Sequence, residues 1–473
     1  MRLLDVPTLT GGRRPTFTIE RADDLDGYHR LRRVVFVEEQ GLFAGSDLDD
    51  RDADPRTVVL LARDRSGAVV GGVRLGPATD GPDLGWWTGG RLAVAPDRRA
   101  GAGVGPALVR AACAFAENAG VLRFDATVQP HAVGMFRRLG WETVGPVTVA
   151  GRPHTVLRWP IGRIAALVSA TKRDLGALLT GLAPGGAGWV GDDGAPVPGS
   201  GLIAACDAIL PSMVERDPEW AGWCGVLVNV NDLSAMGAHP VGLLDALGAR
   251  DPSHAARVLA GLKAAAAAYG VPVLGGHTQL GVPASLAVTA LGALAPGPGG
   301  AGGVVPPVPG GGGQPGHEVR LTVDLGGGWR PGYTGRQWDS TSTRTAAELR
   351  TMGAFVGAYR PAAAKDVSMA GIAGTLGMLA EAGGCRAVLD VAAVPRPGGV
   401  TTGDWLTCFP GFGMLTAAPP GTEPPSAGPA TTAVCGALET GTGVALRWPD
   451  GELTEVIAAG VTNLGAAHTQ ENR

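Results

Sequence analysis

The chain has 473 residues, 45% of them hydrophobic, which is enough for two to four packed domains and excludes a fibrous or disordered protein. Its 39 Lys and Arg against 43 Asp and Glu give a net charge of −4 with no basic stripe, so nucleic acid is excluded as an expected partner. No signal-like apolar core opens the chain, no run approaches about 18 apolar residues, and the six cysteines at 113, 206, 224, 385, 408 and 435 lack C-x-x-C spacing; these features predict a cytoplasmic, non-membrane protein with buried thiols and neither a zinc site nor a disulfide scaffold.

In chain order, residues 15–20 read as a strand. Residues 24–36 follow as a helix with Leu25, Tyr28, Leu31, Val35 and Phe36 on its apolar face. The acidic run Asp47, Asp49, Asp50, Asp52 and Asp54 comes next, and two readings are open for it: a solvated loop, or a site for a cationic amine. Runs 56–62 and 68–75, rich in Val and Leu, flank Ser66-Gly67 as a hairpin, and 86–95 is a third long strand.

That strand runs into the Gly-rich stretch 96–105 and then a helix over 107–118. Glycines allow backbone N–H groups to approach a pyrophosphate, a helix N-terminus adds partial positive charge, and arginine adds bidentate contacts. A strand over 122–128, a helix over 132–139 and Gly140-Trp141 complete the pattern. The stretch Arg98-Arg99-Ala100-Gly101-Ala102-Gly103-Val104-Gly105 resembles the coenzyme A loop of the GNAT acetyltransferases, and the element order over residues 1–160 resembles their fold. The resemblance implies acetyl-CoA binding by Leu92, Val94, Arg98, Arg99, Gly101, Gly103, Val104 and Gly105. Phe136 stands where that family carries a tyrosine general acid. His131 and His154 read either as turn or packing residues or as proton-transfer groups; Glu39 and His154 are the candidate acceptors of an amine proton.

Residues 161–182 read as one amphipathic helix within a 161–188 connection. Residues 225–230 read as a buried strand, with Asp232 capping a helix that His239-Pro240 ends; 241–247 is a further strand. Asp232 is thus either an ordinary N-cap or a metal-phosphate ligand beside exposed helix N–H groups. Helices are expected over 255–269, 345–359 and 368–382, and strands over 284–291, 320–324, 386–389, 413–417 and 433–438. The Gly/Pro-rich 297–318 stretch reads as a flexible linker unable to bury apolar surface.

The segment Val230-Asn231-Asp232-Leu233 with Gly237-Ala238, taken with Gly191-Asp192-Asp193-Gly194, Asp207, the turn Gly275-Gly276-His277-Thr278, and Lys365-Asp366-Val367-Ser368 with Gly371, resembles the AIR synthase superfamily. That superfamily includes thiamine-monophosphate kinase and selenophosphate synthetase. The resemblance implies Mg²⁺ at Asp192, Asp193, Asp207, Asp232 and Asp366, and ATP contacts from Asn231, Gly275, Gly276, His277, Thr278 and Lys365. It also implies an N-terminal domain over 189–296 that dimerises and a C-terminal domain over 319–473. Met369 departs from the kinase pattern. The two-module order resembles a bacterial fusion family associated with nitrilase clusters. The expected fold is α/β and α+β, a GNAT fold followed by a two-domain AIR synthase-like fold. The expected function is acyl-CoA-dependent acetylation of a small-molecule amine, with an ATP-Mg-binding second module. The alternatives are an ATP-dependent kinase or ligase with an acyl-CoA sensor, and a scaffold without catalysis.

Overall fold

A computed structural model describes residues 17–99, 103–297 and 303–467. The chain divides into two compact units, residues 1–163 with 401–403, and residues 164–400 with 404–473.

The first unit is a seven-stranded sheet. Its strands are β1 (Phe17–Arg21), β2 (Val58–Asp64), β3 (Val69–Pro77), β4 (Trp86–Val94), β5 (Arg123–Val128), β6 (Glu142–Val149) and β7 (Arg152–Trp159), in the order β1-β2-β3-β4-β5-β7-β6. The β2–β3 hairpin turns where it was expected, because the Asp64 side chain accepts from the N–H groups of Ser66 and Ala68 and Gly67 supplies a φ of +86°. Helix α1 (Asp26–Arg32) does not run on to residue 36 as an α-helix: residues Arg33–Glu39 are π-helical, a wider coil found often at functional sites. A single turn, α2 (Asp50–Ala53), is closed by a capping box between Asp49 and Asp52. Helices α3 (Val104–Asn118) and α4 (Pro130–Arg138) follow, and α3 packs Val104, Leu108, Val109 and Ala112 into the core.

One irregularity positions the site. Strands β4 and β5 are parallel neighbours over only Trp86–Gly89, paired with Arg123–Ala126, while β4 continues to Val94 against β3 alone. Past Gly89 the sheet is therefore split, and the backbone of β4 from Gly90 onward has no strand partner on that side.

The second unit opens with α5 (Arg163–Thr171) and α6 (Leu175–Leu178), so the connection is two short helices and not one long one. Its first sheet contains β8 (Ala195–Pro196), β9 (Leu202–Ile209), β10 (His239–Ala249), β11 (Val273–Leu280) and β12 (Ser285–Ala293), in the order β11-β10-β12-β9-β8. Helices α7 (Pro211–Arg216), α8 (Pro218–Ala235) and α9 (Pro252–Tyr269) cover one face. Asp251 caps α9 by accepting from the His254 N–H at 2.8 Å, and Gly270 ends it at φ +70°.

Here the strand expected over residues 225–230 is corrected: those residues are the middle of α8. A helix buried on nearly every side is apolar all round, which reads like a buried strand from sequence alone. Two glycines settle the matter. A methyl group at Gly222 would meet the Val258 carbonyl oxygen at 2.0 Å, and one at Gly261 would meet the Glu219 carbonyl oxygen at 1.8 Å, so α8 and α9 touch backbone to backbone. Asp232 consequently lies in the last turn of α8 and is not an N-cap.

The rest of the unit adds β13 (Glu318–Val323), β14 (Gly328–Trp329), β15 (Trp338–Asp339), α10 (Ala346–Gly353), α11 (Phe355–Tyr359), β16 (Ala363–Asp366), α12 (Gly371–Ala382), β17 (Arg386–Asp390), β18 (Gly413–Ala418), β19 (Thr431–Glu439), β20 (Val444–Arg447) and β21 (Leu453–Ile457). Seven of these strands form a sheet in the order β16-β18-β13-β19-β17-β20-β21. A single apolar core contains Val226, Leu233 and Val288 from the first sheet and its helices, and Phe355, Ala364 and Met414 from the second part. The Gly/Pro segment between them is corrected as well. Val308 is 1% exposed, Gly310, Gly311 and Gly313 are buried, and a methyl on Gly312 would lie 1.9 Å from the Ala362 carbonyl oxygen. Residues 308–313 are a packed thread, and glycine is there because no side chain fits.

Candidate functional sites

In the first unit a cavity of about 360 Å³ opens at the split between β4 and β5. Its walls include Phe36 and Gln40 from the π-helical turn, Leu92 of β4, and His131, Phe136 and His154. His154 is buried, with Nδ1 3.0 Å from the Arg152 carbonyl oxygen. A carbonyl oxygen only accepts, so Nδ1 carries a proton, and in the neutral imidazole the lone pair a proton acceptor needs is then on Nε2. Phe136 is buried edge-on against Trp141, with ring centroids 5.2 Å apart. Glu39 lies apart from this cavity, exposed and ion-paired to Arg99. The hydrogen bond from Arg99 holds its carboxyl below the usual range, which makes it a weak base.

The Gly-rich loop is only partly visible. Gly101 lies outside the described residues. Gly103 precedes α3 at φ +67° and Val104 is buried, while Gly105 faces Met135 and Val94. Arg98 lies 3.2 Å from Asp64 and 3.1 Å from Asp97, and the Arg99 Nε donates to the Val94 carbonyl.

The acidic run is drawn into an ion-pair network rather than left as a free loop. Arg32, itself fully buried, binds Asp47 at 2.7 Å and Asp52 at 2.6 Å; Arg74 binds Asp49 and Asp52; and Arg91 reaches Asp49 at 3.0 Å. Asp54 pairs with Arg56. Four of the five carboxylates are thereby neutralised by arginines scattered over 60 residues of sequence, which local reading of the run could not show.

In the second unit three carboxylates converge. Asp193 follows Gly191 in a loop, Asp232 ends α8 and Asp366 ends β16, and one oxygen from each lies within 4.8 Å of the others. Lys365 donates to Asp193 at 2.8 Å and to the Gly191 carbonyl at 2.7 Å, and the Asp366 N–H donates to Asp193 at 2.9 Å. Burial, then repulsion from neighbouring carboxylates, pushes Asp232 and Asp366 well above the usual carboxylate range. Burial and Asp193 also raise Asp207 of β9. Burial lowers the Lys365 ammonium, but Asp193 and Asp192 outweigh that and keep it charged. One ammonium cannot balance this much buried negative charge, so the donor set fits a divalent cation held by Asp193, Asp232 and Asp366. Asp192 sits against the glycine thread, where a methyl on Gly310 would lie 2.5 Å from its Oδ1.

Of the expected nucleotide contacts, Asn231 is engaged within the fold and residues 275–278 lie in a strand. The Asn231 amide donates 2.7 Å to the Gly411 carbonyl, tying α8 to the loop before β18. Gly275, Gly276, His277 and Thr278 form no turn: they lie within β11, exposed at the sheet edge. With β10 and β12 between, β11 is three strand spacings, about 14 Å, from β9 and Asp207. Sequence reading missed Arg51, Arg74 and Arg91 on the cavity wall and the glycine thread beside Lys365; only the run Gly310–313 gave a local signal for either.

The fold and the two constellations define a two-module α/β protein, an acyltransfer-type unit joined to an AIR synthase-type unit. A model of the acetyltransferase (GNAT) family matches residues 23–141, and one of the AIR synthase related protein N-terminal domain matches residues 191–294. The chain is 34% identical over 237 residues to uncharacterized protein sll0787 of Synechocystis, covering 49% of this chain and 70% of that protein. It is 30% identical over 203 residues to uncharacterized protein MJ0640 of Methanocaldococcus jannaschii, covering 42% of this chain and 60% of that protein. Among solved structures, T. maritima PurL complexed with ADP shares the fold at a TM-score of 0.50 and 14% identity, over 65% of this chain and 52% of that one. The chain belongs to the sll0787 family, and within it carries both a GNAT domain and an AIR synthase-related domain.

Proposed function

We propose that the protein is an acyl-CoA-dependent N-acyltransferase, acetylating the amine of a small molecule, whose second module binds Mg²⁺-ATP. The observation that carries the first half is the cavity at the β4–β5 split, with a buried His154 whose Nε2 bears the lone pair. In the reaction the amine nitrogen bonds to the thioester carbonyl carbon, the C–S bond breaks and the thiolate leaves, while the amine proton passes to His154 Nε2. Backbone N–H groups of β4 beyond Gly89 are suited to hold the carbonyl oxygen as charge develops on it. Phe136 has no proton to give the thiolate, which is consistent with thiolate release to solvent.

The carboxylate cluster supports the second half: Mg²⁺ on Asp193, Asp232 and Asp366 would neutralise nucleotide phosphates, with Lys365 adjacent. The unpaired edge β11, with Val273, Leu274 and Leu280 exposed, supports a homodimer through this module. The test is native mass spectrometry of the whole protein with acetyl-CoA and with ATP-Mg²⁺, together with His154→Ala. The reading requires one acetyl-CoA per chain, and a roughly 100-fold loss of acetyl transfer in the variant with acetyl-CoA affinity kept. Absence of bound acetyl-CoA sinks the acyltransferase reading.

A further inference from the structure

The cavity wall carries more positive charge than its carboxylates balance. Arg51, Arg74 and Arg91 all line it, against one lining carboxylate, Asp49. Behind them Arg32, Arg74 and Arg91 are ion-paired among Asp47, Asp49 and Asp52, so these three guanidiniums and three carboxylates balance one another. The pairing is specific. Arg74 binds Asp49 and Asp52, and Arg91 binds Asp47 and Asp49.

Arg51 is the one left over. Its guanidinium donates to the Thr88 hydroxyl and, at 3.3 Å, to the Ala78 carbonyl, and among the described residues no carboxylate oxygen lies within the 4.0 Å of an ion pair. Arg91 shows the same excess from another side: burial, then the neighbouring Arg74 guanidinium, lower its pKa. Its backbone is also held at φ +51°, a left-handed conformation that costs a non-glycine residue, with its carbonyl fixed by the Tyr28 hydroxyl at 2.7 Å. Guanidiniums crowded at a cavity, one of them making no ion pair and only electrostatically near Asp54, are arranged for a planar or tetrahedral oxyanion.

We propose that the acyl acceptor is an amine bearing an anionic group, a carboxylate or a phosphate, that Arg51 binds beside Arg74 and Arg91. This rests on the acyltransferase reading and narrows its substrate class. It also reverses the cationic-amine reading of the acidic run: Asp47, Asp49 and Asp52 place arginines, and the arginines face the substrate. The aromatic rings on the same walls, Phe36 and Phe43 among them, leave room for an apolar body between the anion and the amine.

The test is acetyl-CoA-dependent release of CoA thiol by the full-length protein, read for three panels: the twenty proteinogenic amino acids, their amides and decarboxylated amines, and aminoalkyl phosphates such as O-phosphoethanolamine. Wild type is compared with Arg51→Gln and Arg51→Lys, and acetyl-CoA affinity is measured for each by calorimetry. The expected result is a kcat/KM at least 10-fold higher for an acid or phosphate than for its uncharged counterpart, a ratio that collapses in Arg51→Gln and is partly kept in Arg51→Lys, with acetyl-CoA affinity unchanged. Whichever anionic panel is accepted names the group. Equal turnover of charged and uncharged amines, a ratio unchanged in Arg51→Gln, or bound acetyl-CoA with no transfer to any panel member overturns the inference and leaves the acyl-CoA reading standing. Loss of acetyl-CoA binding in wild type overturns that reading instead.

Discussion

Lys365 holds Asp193 from one side at 2.8 Å while the backbone N–H of Asp366 holds the other oxygen of the same carboxylate at 2.9 Å. Both donors come from the end of β16, so a single strand end fixes the loop aspartate beside the carboxylates of α8 and β16. The cluster is built in advance of any ligand and carries electrostatic strain, since Asp232 and Asp366 are buried and repel each other.

Asp232→Asn relieves that strain and removes a metal ligand. The folded-state pKa of Asp232 is raised, so its ionisation opposes folding above the unfolded carboxylate value near 4, and asparagine avoids the penalty at pH 7.5. Thermal melts should show the metal-free variant at or above the wild-type Tm by a few degrees, while addition of 5 mM Mg²⁺, roughly a saturating level, stabilises wild type and not the variant. A collapse of the metal-free Tm would mean that Asp232 is a structural residue.

The arginine-carboxylate network of the first unit has the opposite pH sign. Burial would raise Asp52, but the Arg32 guanidinium, the Asp49 N–H and Arg74 outweigh it and hold the carboxyl far below the usual range. A depressed folded pKa contributes stability above the unfolded value near 4 and loses it as pH falls further. Denaturant titrations followed by tryptophan emission should therefore show a fall in stability below pH 4. In Asp52→Asn the loss is already present at pH 7, by about 3 kcal/mol, because Arg32 is left buried with one partner fewer. Identical pH profiles for the two proteins would contradict this.

Gly312→Ala separates a packed thread from a linker. A methyl there meets the Ala362 carbonyl oxygen at 1.9 Å, so the backbone must shift, at a cost of about 1–3 kcal/mol. Urea midpoints measure it. A flexible linker would tolerate the change or gain slightly from it.

The exposed edge of the first sheet in the second unit gives a test of assembly. Leu274 is 58% exposed on β11, and a homodimer that covers this edge buries roughly 2,000 Å² or more. Light scattering at low micromolar concentration should give twice the chain mass for wild type and one chain mass for Leu274→Glu. Wild type at one chain mass, with and without ATP-Mg²⁺, rules out the assembly.

The sequence by itself determined the class of both modules through the motifs by which it resembles two families, and strand and helix periods and glycine positions, being local properties, made the Ser66-Gly67 hairpin, the strand ending near Val94, the end of α9 and the loop glycine before α3 legible. It also carried the five aspartates, of which the tertiary structure gathers Asp193, Asp232 and Asp366 within one ion's reach. Three things only the tertiary structure decided. Residues 225–230 are the middle of a helix buried between α9, which approaches it at Gly222, and the sheet residues Leu286 and Val288, which approach it at Gly225, and an all-apolar run has no period to announce that. Gly275–Thr278 run straight along an edge because β10 pairs with them, although glycine pairs read locally as turns. The acidic run takes its meaning from Arg32, Arg74 and Arg91, which reach it from a helix and two strands. Charge pairing depends on distance in space, and a linear chain does not contain that distance.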